Sequence, residues 1–270
     1  MDKINLKFKQ VDDTPTCKKC NDIGWVYTKK GVVRCSCKLG NFDKNIYERM
    51  RIPPRYRHVS LETFQILKKY NHHKVIEEVK KYILSNDFKL GKGLFFVGSP
   101  GVGKTHLAIS ILKEFYKKRG IVGLFYDTNS LLFDLRGTFD GSSSTRELLE
   151  EVVNTPILVL DDIGAERLSD WARDILHYII TTRYNQLKPV IITSNINISN
   201  ESEDIENENN EEISYKNQQE TEVSLKDRLG HSIASRLEEM CKIIKVQGED
   251  MRKRSMVQKM LEEAIEKGNN

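Results

Sequence analysis

The chain predicts an α/β fold, a parallel sheet with helices on both faces, preceded by a small cysteine-rich segment. Three observations carry this reading. From about residue 60 onward, short apolar runs alternate with runs of helical periodicity. A Gly-rich octet joins the first of these strands to the helix that follows it. Four of the five cysteines fall within the first 50 residues.

The strand-like runs are residues 94–97, 121–126, 157–161, 190–193 and 241–246, and the helical runs are 75–84, 106–118, 145–153 and 171–186. In the last of these, Trp171, Ile175, Leu176, Ile179 and Ile180 recur at helical spacing and predict an inward face. Strands alternating with helices imply parallel pairing through crossovers. Pro53 and Pro54 predict an extended, non-helical connection at residues 51–60. Residues 197–222 are rich in Asn and Glu and have no periodicity. They predict a disordered acidic insertion, a bare surface loop or a functional tether.

The octet reads Gly98-Ser99-Pro100-Gly101-Val102-Gly103-Lys104-Thr105, followed by His106. It matches G-x-x-x-x-G-K-[ST], and each part has its own physical task. The glycines allow positive φ and bring backbone N–H groups close to a polyphosphate. Lys104 supplies a compact positive charge, and Thr105 offers a hydroxyl to Mg²⁺. The following helix adds its N-terminal dipole to the anion site. Downstream, four apolar residues precede Asp161 and Asp162. Asp161, at the strand's carboxyl end, suits magnesium, which prefers oxygen ligands. Asp162 stands where a base or water-orienting group is needed, with Glu166 a second candidate. Many phosphate-loop enzymes have Glu at that position. Aspartate is one methylene shorter, so hydrolysis is expected to be slow. Asn195, at the end of the fourth strand, can orient water and touch the terminal phosphate.

At 270 residues the chain has room for one large domain, or a medium and a small one. No run of 18 apolar residues occurs, which excludes a spanning helix. The opening MDKINLKFKQ lacks an apolar core, so a cytoplasmic protein is expected. Residues 1–60 hold 14 Lys and Arg against 6 Asp and Glu, whereas residues 199–222 hold 9 acids against one Lys. The basic head suits an anionic partner such as nucleic acid, or is simply a solvated surface. Cys17 and Cys20, then Cys35 and Cys37, form two close pairs suited to tetrahedral zinc, with residues 24–33 as a hairpin between them. The C-x-C of the second pair is tighter than usual, and an iron–sulfur cluster is the minor alternative. Cys241 reads as a buried small hydrophobe, and His72-His73 as polar surface.

Taken together, these motifs resemble the AAA+ ATPases of the DnaC/DnaI helicase-loader group, which includes the IstB transposition helpers. The resemblance rests on residues 98–107, on Asp161-Asp162-Ile163-Gly164-Ala165-Glu166, on residues 131–136, on residues 188–195 and on Ile52-Pro53-Pro54-Arg55-Tyr56-Arg57. It implies an AAA+ ATPase domain over residues 61–265, behind a head at 1–50 and a linker at 51–60. It also implies that Arg236, in Ser235-Arg236-Leu237, reaches the ATP of a neighbouring subunit, with Arg228 as the fallback. Arg252 would touch the γ-phosphate of its own subunit. The cofactors implied are ATP and Mg²⁺, beside the Zn²⁺ of the head. The function implied is ATP-dependent loading of a replicative DNA helicase, with single-stranded DNA and further copies of the chain as partners, and no membrane. An IstB-like transposition helper and a non-hydrolysing ATP-gated adaptor remain open beside it. A small-molecule kinase leaves Asn195 and the late arginines unexplained.

Overall fold

The computed structural model describes residues 25–28, 31–34, 44–137, 143–164, 168–196 and 224–252. The chain divides into two compact units, residues 1–46 and 47–270. In the first, β1 (Trp25–Thr28) and β2 (Gly31–Arg34) pair antiparallel, with Trp25 opposite Arg34 and Thr28 opposite Gly31. The hairpin expected between the cysteine pairs is therefore present. Cys17, Cys20, Cys35 and Cys37 lie outside the described residues, as do Glu166 and the acidic stretch 197–222.

Helix α1 (Lys44–Arg49) leads into the second unit. Pro53 is extended, at φ −58° and ψ 146°, but Pro54–Tyr56 then turn into a single 3-10 helix. The wholly extended connection expected from the prolines is thus corrected. Proline at a first helical position loses no hydrogen bond, because that N–H has no partner there anyway.

The second unit continues with α2 (His72–Leu84), β3 (Gly93–Val97), α3 (Lys104–Arg119), β4 (Leu124–Asp127), α4 (Thr128–Gly137) and α5 (Ser143–Asn154). It then runs through β5 (Leu158–Asp161), α6 (Asp170–Asn185), β6 (Val190–Ser194), α7 (Leu225–Leu229), α8 (His231–Met240) and β7 (Cys241–Lys245). Among the described residues, five strands form one sheet in the order β4-β5-β6-β3-β7, and every neighbouring pair is parallel. Every residue of β3, β5 and β6 is buried. Such continuous apolar strands require cover on both faces. On one face Phe95, Val97, Leu158, Leu160, Val190 and Ile192 pack with Leu135, Leu176, Ile180 and Leu237 from the helices above. The alternate residues Leu94, Phe96, Val159 and Ile191 point the other way, where α3 runs.

Local chemistry sets the helix ends. Helix α3 stops at Gly120, whose φ of 67° suits a residue without a Cβ, and Lys117, Lys118 and Arg119 fill its last turn. Helix α6 begins at Ser169, whose hydroxyl accepts the Ala172 N–H. Ser224 and Asp227 form a reciprocal capping box at α7.

His72 is not polar surface, as the sequence suggested; it is 1 % exposed. Its Nδ1 accepts the Leu67 N–H at 3.1 Å, and its Nε2 donates to the Gln247 carbonyl at 2.6 Å. Cys241 is buried, as expected, and burial pushes its thiol pKa up. Among the described residues no helix is long and apolar enough to cross a membrane.

Arg183, on α6, is fully buried. Its guanidinium donates to the carbonyls of Val152, Val153, Thr155 and Pro189 at 2.9, 3.2, 2.9 and 2.7 Å. It thereby ties the end of α5 to the start of β6. Replacing it by Leu strands these acceptors in the core, where each unpaired group costs about 1–3 kcal/mol. Arg183→Leu is expected to lose at least about 3 kcal/mol of stability in urea unfolding, more than a typical point substitution.

Candidate nucleotide-binding site

Strands β3, β5 and β6 end side by side, and polar groups emerge there from an otherwise apolar sheet. The Gly98 N–H donates to the Ser194 carbonyl at 3.3 Å, so the loop leaving β3 starts against the end of β6. Gly101 and Gly103 adopt φ of 80° and 103°. At Gly103 a Cβ would lie 2.7 Å from the Phe64 ring, and at Gly101 it would lie 2.0 Å from the Asp250 carboxylate. Ser99 turns its carbonyl to Lys104, Pro100 lines the cleft, and Val102 is buried. The Leu107 N–H makes an early helical bond to the Gly103 carbonyl, which leaves the preceding amides of the loop for a ligand.

Lys104 is 6 % exposed. Its ammonium donates to the Gly98 carbonyl at 2.7 Å, the Ser99 carbonyl at 2.9 Å and Asn195 Oδ1 at 2.6 Å. Burial pushes its pKa down to about 8, against the opposing pull of Asp162 and Asp161. The Thr105 hydroxyl meets Asp161, at 2.8 Å from Oδ1 and 3.0 Å from Oδ2. Burial raises the Asp161 pKa, while hydrogen bonds from Thr193 and Thr105 draw it back. A hydroxyl and a carboxylate this close are the hard oxygen donors that a magnesium ion takes.

Asp162 has φ 57°, an uncommon conformation for a non-glycine residue. Two groups hold it there. Its N–H donates to Thr193 Oγ1 at 2.8 Å, and its carboxylate accepts from Asn195 Nδ2 at 2.9 Å. Thr193 Oγ1 in turn donates to Asp161 Oδ1 at 2.6 Å. One hydroxyl therefore fixes both acids, and one amide links Lys104 to Asp162.

These groups line a cleft of about 300 Å³, together with Arg252. A second cleft of similar volume adjoins it, sharing Arg55, Tyr56, Gly103, His106 and Arg252. Its walls are Tyr56, His58, Val59, Phe64, Val102 and Met251, more apolar than the first. A polar cleft beside an apolar one matches a polyphosphate joined to a flat base. His106 stands between them, its Nε2 2.7 Å from the Ser60 carbonyl. The Met251 N–H donates to the Gly101 carbonyl at 3.1 Å, which docks the segment carrying Arg252 onto the loop.

The two remaining arginines differ. Arg228 donates to the Gly164 carbonyl of its own chain, just beyond Asp162. Arg236 is half-buried, is not among the residues lining either cleft, holds Ser232 through its Nη1, and sits 5.8 Å over the Tyr184 ring. Sequence reasoning therefore collected many of the clefts' polar residues but missed Arg55, Asp127, Thr193, Tyr56 and Phe64. Thr193 stands two residues before Asn195, and Tyr56 lay within the motif of the resemblance. Nothing local marks Phe64.

The model of the IstB-like ATP-binding protein family matches residues 55–209, more than half of the chain. The chain belongs to this family. It is 33 % identical over 122 residues to the replicative helicase loader DnaI of Bacillus subtilis, across 45 % of this chain and 38 % of that protein. It is 26 % identical over 153 residues to the replicative helicase loader DnaC of Escherichia coli K12, across 56 % of this chain and 61 % of that one. The match thus spans less than two thirds of either relative. Among solved structures, a crystal structure of the DnaC helicase loader is 38 % identical, with a TM-score of 0.59. That similarity covers 72 % of this chain and 100 % of the other. The family is one of ATP-binding proteins.

Thr193→Val keeps shape and removes the hydroxyl from Asp161. A hydrogen bond to a charged group is worth about 1.5–3 kcal/mol. The variant is expected to bind ATP about tenfold more weakly with magnesium present, and unchanged in EDTA, when titrated with a fluorescent ATP analogue.

Proposed function

We propose that this protein is an ATP-dependent loader of a replicative DNA helicase. The observation that carries the reading is the 38 % identity to a DnaC helicase loader across the whole of that structure, combined with the convergence of Lys104, Thr105, Asp161, Asp162, Asn195 and Arg252 on one cleft. Lys104 and the loop amides would bind the phosphates. Thr105 and Asp161 would hold magnesium, which neutralises phosphate charge. Asp162 and Asn195 would orient a water for hydrolysis. Arg252, at the rim, would contact the terminal phosphate of its own chain.

Arg236 has another part in this reading. It is half-buried and does not line its own cleft, so in this reading its guanidinium would turn to the ATP of the next copy. ATP turnover would then depend on assembly. Single-stranded DNA would be gripped in the ATP state, and the four-cysteine head, holding zinc through Cys17, Cys20, Cys35 and Cys37, would contact the helicase. The family model's IstB name favours one second reading, a transposition helper acting on a transposase.

Two experiments test these proposals. Tagged protein should capture helicase hexamers with ATP, and Lys104→Ala should abolish the capture. Binding to a transposase with no binding to helicase would reverse the order of the two readings. In phosphate-release assays Arg236→Ala should bind ATP normally yet turn over at least about tenfold more slowly. An undiminished rate would remove Arg236 from the reaction.

A further inference from the structure

Residues 56–60 cross the helix that follows the phosphate loop, and several of their carbonyls meet side chains of that helix. Lys113 Nζ donates to the Arg57 carbonyl at 2.7 Å and the Val59 carbonyl at 2.6 Å, with the Tyr56 carbonyl at 3.5 Å. Two turns earlier on the same face, His106 Nε2 lies 2.7 Å from the Ser60 carbonyl. Thr63 Oγ1 comes within 3.3 Å of the same nitrogen. Lys113 is only 6 % exposed, and the Tyr47 ring lies 5.1 Å from its ammonium.

A buried ammonium is a costly way to fill space on a helix, since an apolar side chain there would avoid the desolvation. Its return is geometric. The segment it holds supplies Tyr56, His58 and Val59 to the apolar cleft, and the chain continues to Phe64, which covers Gly103. The helix that carries the phosphate loop thus also carries the anchors of the wall opposite.

We propose that Lys113 and His106 are positioning residues that fix the base-binding wall of the ATP site against the phosphate loop, so that base and phosphates are read at a set spacing. This rests on reading the paired clefts as the ATP site. The anchored wall selects a nucleoside triphosphate over a bare polyphosphate.

The test compares ATP with inorganic tripolyphosphate, which has the phosphates and no base, on the full chain. Lys113→Met is expected to raise the Kd for ATP about tenfold while the Kd for tripolyphosphate stays within about twofold. Turnover at saturating ATP should not change. A loss shared equally by both ligands, or a loss by neither, overturns the proposal, because support of the fold alone would not separate them. Should the methionine variant fail to fold, Lys113→Gln keeps N–H donors and is read the same way, with a smaller split expected. Wild-type protein that binds tripolyphosphate but not ATP would overturn the ATP-site reading and this inference with it.

Discussion

Strand β6 lies between β3 and β5, and that pairing determines where Asp161, Asp162, Thr193 and Asn195 emerge beside Lys104. Val97 is opposite Ser194 and Leu160 is opposite Ile192, so the three strands finish within a residue or two of one another. All three are buried along their length. Chemistry therefore appears only at their carboxyl ends, where ligands of open parallel sheets gather. The Thr193 hydroxyl locks this edge, because it bonds an acid of β5 and the amide that follows it. The Ile163 N–H and carbonyl bond the Thr193 carbonyl and the Ser194 hydroxyl, which extends the lock by one turn.

The parts of the site that were legible in the sequence are those whose chemistry is local. The octet 98–105 determines its own turn, because its glycines and its lysine act within eight residues. Asp161 and Asn195 were found because each closes a short apolar run. The strand edges were less sharp. The run 121–126 suggested a strand from Ile121, yet β4 begins at Leu124. Gly120 ends α3, and a Cβ on Gly123 would lie 2.6 Å from the Ile157 carbonyl, so the chain first passes through a tight contact. The start of α3 shifted for a similar reason: Lys104 and Thr105 belong to the helix as well as to the loop.

What stayed hidden depends on partners far apart in sequence. His72 reads as an ordinary surface histidine until the carbonyl of Gln247, 175 residues later, accepts a hydrogen bond from its Nε2. Arg183 looks like a helix-surface charge until α5 and β6 bring four carbonyls around it. Lys113 falls within a Lys-rich helix whose Lys117 and Lys118 reach water. In each case a charged or polar side chain was buried to satisfy backbone carbonyls, and no periodicity or composition marks that choice.

The phosphate loop needs its glycines for two separable reasons. Positive φ at Gly101 and Gly103 is the conformational one. The second is tertiary. A Cβ at Gly98 would meet the Val246 carbonyl at 2.2 Å, and one at Gly101 would meet Asp250. The segment after β7 therefore closes on the loop at van der Waals range, and the bond from the Met251 N–H to the Gly101 carbonyl ties it there. Arg252 follows immediately, its own N–H held by the Asp250 carboxylate. A shift of the loop at Gly101 would therefore strain the contact that docks the arginine's segment. This backbone contact joins the segment that carries Arg252 to the loop across the cleft.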